Sequence, residues 1–220
     1  MEIKAVLFDM DGVLIDTEEF INIAAIEGLK QYGVYAKYED FIPFIGGGEN
    51  KYIGGVAEKY GVPFKPEMKA VVYDIYADIL KQHPDAVYPG VLDMLKAVKS
   101  KYKAAVCSAA DFPKVCHNLN AIGITADFFD GVVSGNDVTR HKPFPDVFLK
   151  GAEVCGEKAE NCIAIDDSLN GIKAAKAAGC VSIGITTGFD EETIKKECAP
   201  DYIINDIREL PALIEKIEKI

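Results

Sequence analysis

The sequence lacks any apolar run long enough to cross a membrane as a helix. Apolar residues make up 49% of its 220 residues, yet no continuous run approaches the roughly 18 residues that such a helix needs. The first residues, MEIKAVLF, also lack the basic flank, long apolar segment and small-residue cleavage site of a signal peptide. We therefore expect a cytoplasmic protein that makes no membrane contact.

Positive charge is also scarce. The chain carries 24 Lys and Arg residues against 35 Asp and Glu residues, a net charge of -11 at pH 7. So acidic a protein is not expected to bind nucleic acid or an anionic membrane surface. An anionic ligand would have to be held by a few local donors or by a metal ion.

Cysteine and histidine pairs with metal-ligand spacing are missing as well. The three histidines lie far apart with no HxxxH spacing, which argues against a metal site built on histidine. Six cysteines form no CxxC pair and lie largely in apolar contexts, so we expect reduced core thiols instead of a disulfide framework. They are Cys107, Cys116, Cys155, Cys162, Cys180 and Cys198.

Short apolar runs that end in polar or glycine-containing turns recur along the chain. Their near-continuous apolarity is typical of strands buried on both faces of a parallel sheet. Helical patterns separate them, at residues 90–101, 172–178 and 210–220. This alternation predicts an α/β fold, a doubly wound, Rossmann-like parallel sheet whose ligands bind at the carboxyl ends of the strands. The runs are residues 5–8, 104–107, 131–134, 162–165, 181–185 and 202–204.

One long segment breaks this alternation. Residues 66–83 carry an apolar stripe with helical i, i+3, i+4, i+7 spacing, and Pro66 is well placed at the start of that helix. The segment around it is longer than a crossover helix requires. We therefore predict a helical cap domain over residues 16–86, inserted into an α/β catalytic core formed by residues 1–15 and 87–220.

Two aspartates follow the first apolar run, in the stretch FDMDG. Alternation along an extended chain can point Asp9 and Asp11 to the same side, and Gly12 allows the backbone to turn sharply. Two carboxylates so close repel each other unless a cation lies between them, and a hard divalent ion such as Mg²⁺ suits oxygen ligands. The alternative is that the aspartates only cap a turn.

A second acidic pair, Asp166 and Asp167, ends another apolar run and leads into a glycine-containing helix start. Ser108 and Lys142 follow two further runs. A hydroxyl, an ammonium, a metal and backbone amides at a strand-to-helix turn are what phosphate oxygens require. Taken singly, Ser108 could be an ordinary helix cap and Lys142 a solvated surface lysine.

Together these motifs resemble the haloacid dehalogenase-like (HAD) superfamily over the whole chain. They occur in the family's order as FDMDGV at 8–13, the serine at 108, KPFPD at 142–146 and IDDSLNGIKAAKAAG at 165–179. The first and last motifs look most like the branch that contains β-phosphoglucomutase and small phosphate-monoester phosphatases. The resemblance implies a phosphoryl-transfer enzyme with a helical cap inserted just after the first motif.

The resemblance also implies roles for individual residues. Asp9 would be the nucleophile that forms an aspartyl-phosphate, and Asp11 would be the general acid and then the general base. Ser108 and Lys142 would bind the transferring phosphoryl group. Small side chains after the serine, first of all that of Ala109, would let backbone amides approach the phosphate.

The implied cofactor is Mg²⁺. The resemblance assigns it the carboxylate of Asp9, the backbone carbonyl of Asp11 and a carboxylate of the second pair. Asp167 is the preferred ligand of that pair. Asp166 ranks below it, as a ligand or a supporting partner, because many members of this branch have glutamate at that position.

Hydrolysis of a small phosphate monoester, such as a sugar phosphate, is the predicted reaction. The β-phosphoglucomutases use an early cap histidine and a cap arginine, but Ile21 occupies the matching early position here and the first arginine is Arg140. The alternatives are a β-phosphoglucomutase-like phosphotransferase and a non-catalytic phosphate-binding protein. The expected partner is a small phosphorylated metabolite, and the expected assembly is a monomer or weak dimer.

The glycine-rich stretch FIPFIGGGENKYIGG, at residues 41–55, is the most distinctive part of the predicted cap. The resemblance puts this loop over the active site, where Glu49, Asn50 and Lys51 would contact the leaving group. A tight turn between cap helices, with polar residues facing water, is the alternative.

Overall fold

The computed structural model describes residues 2–44 and 48–219. The chain divides into two compact units. One contains the residues up to Asp16 together with those from Val87 onward, and the other is Thr17–Ala86. The glycine-rich stretch is described only in part, because residues 45–47 lie outside the described ranges.

The first unit is built on a six-stranded sheet in which every neighbouring pair of strands is parallel. The strand order is β3-β2-β1-β4-β5-β6. This arrangement confirms the predicted α/β, doubly wound, Rossmann-like fold. The strands are β1 (Ala5–Phe8), β2 (Lys103–Cys107), β3 (Gly131–Val133), β4 (Cys162–Asp166), β5 (Val181–Ile185) and β6 (Tyr202–Ile204).

Helices alternate with these strands and also make up most of the second unit. In the second unit they are α1 (Glu18–Lys30), α2 (Glu49–Lys59) and α3 (Glu67–Gln82). In the first unit they are α4 (Val91–Lys99), α5 (Phe112–Ile122), α6 (Asp146–Val154), α7 (Leu169–Ala178), α8 (Glu191–Glu197) and α9 (Leu210–Ile217). Among the helices of residues 2–44 and 48–219, none is both long and apolar enough to cross a bilayer.

Small buried side chains let the helices approach the sheet closely. β1, β4 and β5 are buried along their whole length, as their continuous apolarity predicts. One face of the sheet forms a core cluster with α6 and α7, built largely from alanine and cysteine around Leu7 and Phe148. All six cysteines are free, and all but the half-buried Cys116 are buried, in agreement with the predicted core thiols.

The second unit is held by the helix that the apolar stripe predicts. α3 begins after Pro66 and buries Met68, Val72, Tyr76 and Leu80, which repeat every fourth residue along one face. Gly28 of α1 lies against this face, and a Cβ there would be 2.8 Å from Val72 Cγ2. The close approach of α1 and α3 therefore depends on a residue without a side chain.

The register of the central strands brings three strand ends to one edge. Phe8 of β1 pairs with Val106 of β2 and with Ile165 of β4. Asp9 directly follows β1, and Asp166 is the last residue of β4. Parallel strands end on the same side, so the polar residues that follow them are gathered there.

The contact between α6 and the sheet gives a test of this packing. A Cβ added at Gly151 would overlap Cys107 Sγ and lie 3.3 Å from Leu7 Cδ2. We expect Gly151→Ala to lower the free energy of unfolding, measured in urea, by about 1–3 kcal/mol, because the core has no room for the methyl group. Cys107→Ala removes the overlapping atom, so the double variant should be less destabilised than the sum of the two single changes. Additive effects would contradict this packing.

Candidate active site

Three carboxylates meet at the carboxyl end of the central strands. One oxygen each of Asp9, Asp166 and Asp167 lies within 4.8 Å of the others. Asp9, which directly follows β1, is buried, with only 6% of its surface exposed.

Three glycines, which have no side chain, leave space for the carboxylates of Asp166 and Asp167. A Cβ at Gly12 or at Gly188 would overlap the carboxylate of Asp167, and a Cβ at Gly171 would overlap that of Asp166. Gly12 also has a φ of 80°, in the left-handed region that favours glycine. Asp167 therefore lies in a slot between two loops that only glycine keeps open.

Lys142 brings a positive charge into the cluster of three carboxylates. Its Nζ donates to Asp9 Oδ1 at 2.5 Å and to Asp166 Oδ2 at 2.7 Å. The lysine side chain is only 8% exposed, and its ammonium lies 5.1 Å from the centroid of the Phe148 ring. The alternative interpretation of Lys142 as a solvated surface residue is wrong.

Asp166 is tied to the protein through both of its oxygens. Oδ1 accepts from the backbone N of Ser168 at 2.9 Å and from the Ser168 hydroxyl at 2.7 Å, while Oδ2 accepts from Lys142. The same hydroxyl caps α7 by accepting from Gly171 N at 3.0 Å. Asp166 is thus held in place by the start of a helix.

Negative charge exceeds positive charge in this buried cluster, and the pKa values reflect it. Burial, only partly offset by Lys142, raises the pKa of Asp9 to about 7. Burial and the neighbouring Asp166 and Asp9 raise the pKa of Asp167 to about 8. Burial lowers the pKa of Lys142, but Asp166 and Asp9 outweigh it and raise that pKa above its ordinary value.

The cluster fits a hard divalent cation. Its donors are carboxylate oxygens, the ligands that Mg²⁺ prefers. A cation would also offset the excess negative charge that, after burial, raises the pKa values of Asp9 and Asp167. Asp166 already accepts three hydrogen bonds, so the carboxylates of Asp9 and Asp167 are better suited than that of Asp166 to bind the ion.

Asp11 belongs to a different arrangement. Within the described residues its carboxylate is not a member of the three-carboxylate cluster. Instead, Asp11 Oδ1 accepts from Lys114 Nζ at 2.9 Å and from Asn118 Nδ2 at 3.0 Å. The structure therefore places the Asp11 carboxylate with these two donors, and a cation shared by the Asp9 and Asp11 carboxylates stays a prediction.

Lys114 and Asn118 were not predicted from the sequence. Both lie on α5, and both are buried together with their apolar neighbours Val115 and Leu119. The available signal was a pair of polar residues four apart on the apolar face of a helix. Such a pair indicates a buried polar partner, but the sequence does not say which one.

Ser108 is buried directly after β2, at the edge where Asp9 follows β1. Its hydroxyl accepts from the backbone N of Ala110 at 3.0 Å and so closes a tight turn around the half-buried Ala109. The residue at the N-cap of α5 is Asp111. The alternative that Ser108 is an ordinary cap of this helix is therefore wrong.

The three predicted cap contacts lie in the first turn of α2, in the second unit. Glu49 is buried, whereas Asn50 and Lys51 are exposed. Their proximity to the carboxylate cluster stays a prediction. Residues 45–47 of the same glycine-rich stretch lie outside the described residues.

Comparisons with known proteins agree with this geometry. A family model described as haloacid dehalogenase-like hydrolase matches residues 3–179. Phosphoglycolate phosphatase of Escherichia coli (strain K12) is 30% identical over 237 residues, covering 96% of this chain and 93% of that protein. Protein SUPPRESSOR OF QUENCHING 1, chloroplastic, of Arabidopsis thaliana is 39% identical over 210 residues, or 94% of this chain. This chain spans only 20% of the length of that plant protein.

A solved structure extends the comparison to the fold. The crystal structure of a mutant of CbbY from Rhodobacter sphaeroides, in complex with xylulose-(1,5)bisphosphate, matches with a TM-score of 0.80. The two chains are 25% identical, and the match covers 94% of this chain and 96% of CbbY.

The charge imbalance of the cluster predicts how stability depends on pH and metal. The folded state retains protons on Asp9 and Asp167 that the unfolded chain releases above the ordinary value of 3.8. The contribution of these two carboxyl groups to folding stability is therefore fully present below pH 3.8. It is lost as the pH rises to about 8. In the presence of a chelator, we expect the melting temperature to fall across this window. Added Mg²⁺ should reduce the fall, because the cation binds the deprotonated carboxylates.

Asp167→Asn is the matched variant for this experiment, because it removes one titrating group and one ligand. Its melting temperature in chelator should fall less with rising pH, and Mg²⁺ should raise it less. Thermal denaturation followed by circular dichroism measures both effects. A melting temperature that responds to pH and Mg²⁺ identically in both proteins would contradict this description of the cluster.

Proposed function

The chain belongs to the haloacid dehalogenase-like hydrolase family, and from this premise we propose that it hydrolyses a small phosphate monoester through an aspartyl-phosphate on Asp9. The observation that carries the proposal is the position of Asp9. It lies at a strand end, bonded to Lys142 and beside two further carboxylates that suit a hard cation. A family enzyme of this kind needs a nucleophile whose charge is balanced enough for an anionic ester to approach.

In the first step, a carboxylate oxygen of Asp9 attacks phosphorus and the bond from phosphorus to the leaving alcohol breaks. Asp11 gives a proton to the leaving oxygen, so that an alcohol departs instead of an alkoxide. Lys142 stays bonded to Asp9 and would also contact a phosphoryl oxygen. One difficult displacement is thereby divided into two easier ones.

In the second step, water attacks the phosphorus of the aspartyl-phosphate. The bond between phosphorus and the Asp9 oxygen breaks, which regenerates the carboxylate, and the water proton passes to Asp11. The Ser108 hydroxyl and the backbone amides of the turn at Ala109 lie at the same sheet edge and would bind the phosphoryl oxygens. These groups hold the phosphoryl in place for both displacements.

The proposed cofactor is Mg²⁺, held by Asp9 and Asp167 with the Asp11 carbonyl, while Asp166 mainly supports Lys142. When bound, the ion supplies positive charge that lets an anionic nucleophile and an anionic ester meet. Carboxylate oxygens and a net negative charge support this assignment.

The proposed substrates are small phosphorylated metabolites. Phosphoglycolate is the first to test, because a phosphoglycolate phosphatase is 30% identical over 96% of this chain. Sugar phosphates come next, because the CbbY structure that matches in fold contains a sugar bisphosphate. Glu49, Asn50 and Lys51 of the proposed cap domain, residues 16–86, would select among these esters by contacting the leaving group.

We also propose a cellular location and an assembly for the protein. Free cysteines are typical of a reducing compartment, which supports a cytoplasmic location. The proposed assembly is a monomer or weak dimer.

The proposed function predicts the behaviour of a single variant. Asp9→Asn should lower kcat for every hydrolysed ester by about 10³-fold or more, because the amide is not a nucleophile toward phosphorus. The measurement is release of inorganic phosphate from phosphoglycolate, sugar phosphates and nucleotides, with Mg²⁺ and with chelator. Asp93→Asn, an exposed change on α4, is the matched control and should leave the rates unchanged.

The same panel separates hydrolysis from phosphoryl transfer to a sugar. Free phosphate that accumulates in proportion to substrate consumed supports the phosphatase. Phosphate that remains esterified, with its position changed, would contradict the proposed hydrolysis and favour the phosphotransferase. Substrate binding without any turnover would favour a non-catalytic phosphate-binding protein.

A further inference from the structure

Asp11 is held by two donors from one helix face. Lys114 and Asn118 are four residues apart on α5, so their side chains project from the same side of the helix. Both donate to the same oxygen, Oδ1, at 2.9 and 3.0 Å. Two donors on one oxygen fix the direction of the carboxylate as well as its position.

Burial makes this attachment strong. Lys114 is 5% exposed and Asn118 is fully buried. A buried ammonium that loses its counter-ion carries a large desolvation cost, so the Lys114 charge keeps the Asp11 carboxylate beside it. The side chain of Asp11 is itself 30% exposed, which leaves it accessible to water.

The attachment also separates Asp11 from the metal-binding carboxylates. Residues 9 and 11 are only two apart, and a mobile Asp11 side chain could turn toward a cation bound by Asp9 and Asp167. The pair on α5 holds it aside, and within the described residues its carboxylate stays out of the three-carboxylate cluster. An acid or base that bound the metal would be lost to proton transfer.

We infer that Lys114 and Asn118 are positioning residues that hold the Asp11 carboxylate outside the metal-binding cluster, oriented as the base for hydrolysis of the aspartyl-phosphate. The inference rests on the proposed function. Both donors suit the deprotonated carboxylate, which accepts hydrogen bonds only, and this is the form that takes the water proton. In that step the water oxygen bonds to phosphorus, the bond from phosphorus to Asp9 breaks, and the proton ends on Asp11.

p-Nitrophenyl phosphate separates this step from the preceding one. Its leaving group departs as p-nitrophenolate without needing a proton, so formation of the aspartyl-phosphate does not depend on Asp11. Hydrolysis of the intermediate still requires the base. Loss of positioning should therefore slow the second step and spare the first.

The test compares Lys114→Met and Asn118→Ala with the unsubstituted protein, in rapid-mixing experiments with p-nitrophenyl phosphate and Mg²⁺. Each variant should release a burst of p-nitrophenolate at the unsubstituted rate, followed by a steady state slowed about 10²-fold, because a misplaced base is a poor one. Lys150→Met on α6 and Asn120→Ala, an exposed change on α5 itself, are the matched controls. Neither control should alter the burst or the steady state.

The burst amplitude guards against a folding defect, because it counts the sites able to react. A misfolded fraction lowers the amplitude but not the rate per reacting site. Unchanged steady-state rates in both variants would overturn the inference, as would a burst rate that falls in parallel with the steady state. If the unsubstituted protein releases no p-nitrophenolate and hydrolyses no ester of the panel, the proposed function fails first.

Discussion

The ion pair between Lys142 and Asp9 is the interaction on which the rest of the site depends. Three carboxylates gather at one sheet edge because β1 and β4 end in register, and a single buried ammonium can balance only part of their charge. Burial, together with the neighbouring carboxylates, raises the pKa values of Asp9 and Asp167. A fold that maintains such an imbalance is suited to bind a cation. The bound cation would then also balance the charge of an anionic ligand.

The residues around the cluster accommodate its closely spaced carboxylates. Gly12 and Gly188 leave a slot for Asp167, and Gly171 does the same for Asp166 at the start of α7. α5, which follows β2, carries Lys114 and Asn118, and these two residues hold Asp11 apart from the cluster. Neighbouring aspartates thereby acquire different surroundings, which is how one sheet edge can provide a nucleophile, metal ligands and a proton carrier.

Much of the fold and part of the site were predictable from sequence. The strands coincide with short apolar runs, and Asp9 and the Asp166–Asp167 pair stand directly after two of these runs. The burial of Lys142 was not predictable from its local sequence, because only the tertiary fold brings Lys142 against Phe148. Lys114 and Asn118 were missed for a related reason. The role of Lys114 and Asn118 depends on which residue from another part of the chain contacts α5. The spacing of residues within one helix does not identify this partner.

The role of Asp9 as nucleophile is tested most directly by locating the phosphoryl group on the enzyme. The protein would be mixed with a hydrolysed ester and Mg²⁺, quenched in acid during turnover, digested and analysed by mass spectrometry. If Asp9 is the nucleophile, one phosphoryl group is expected on the peptide that contains Asp9, and it should be labile in base, as an acyl phosphate is. A phosphoryl group on another residue, such as Ser108, or turnover with none on the protein, would contradict that role.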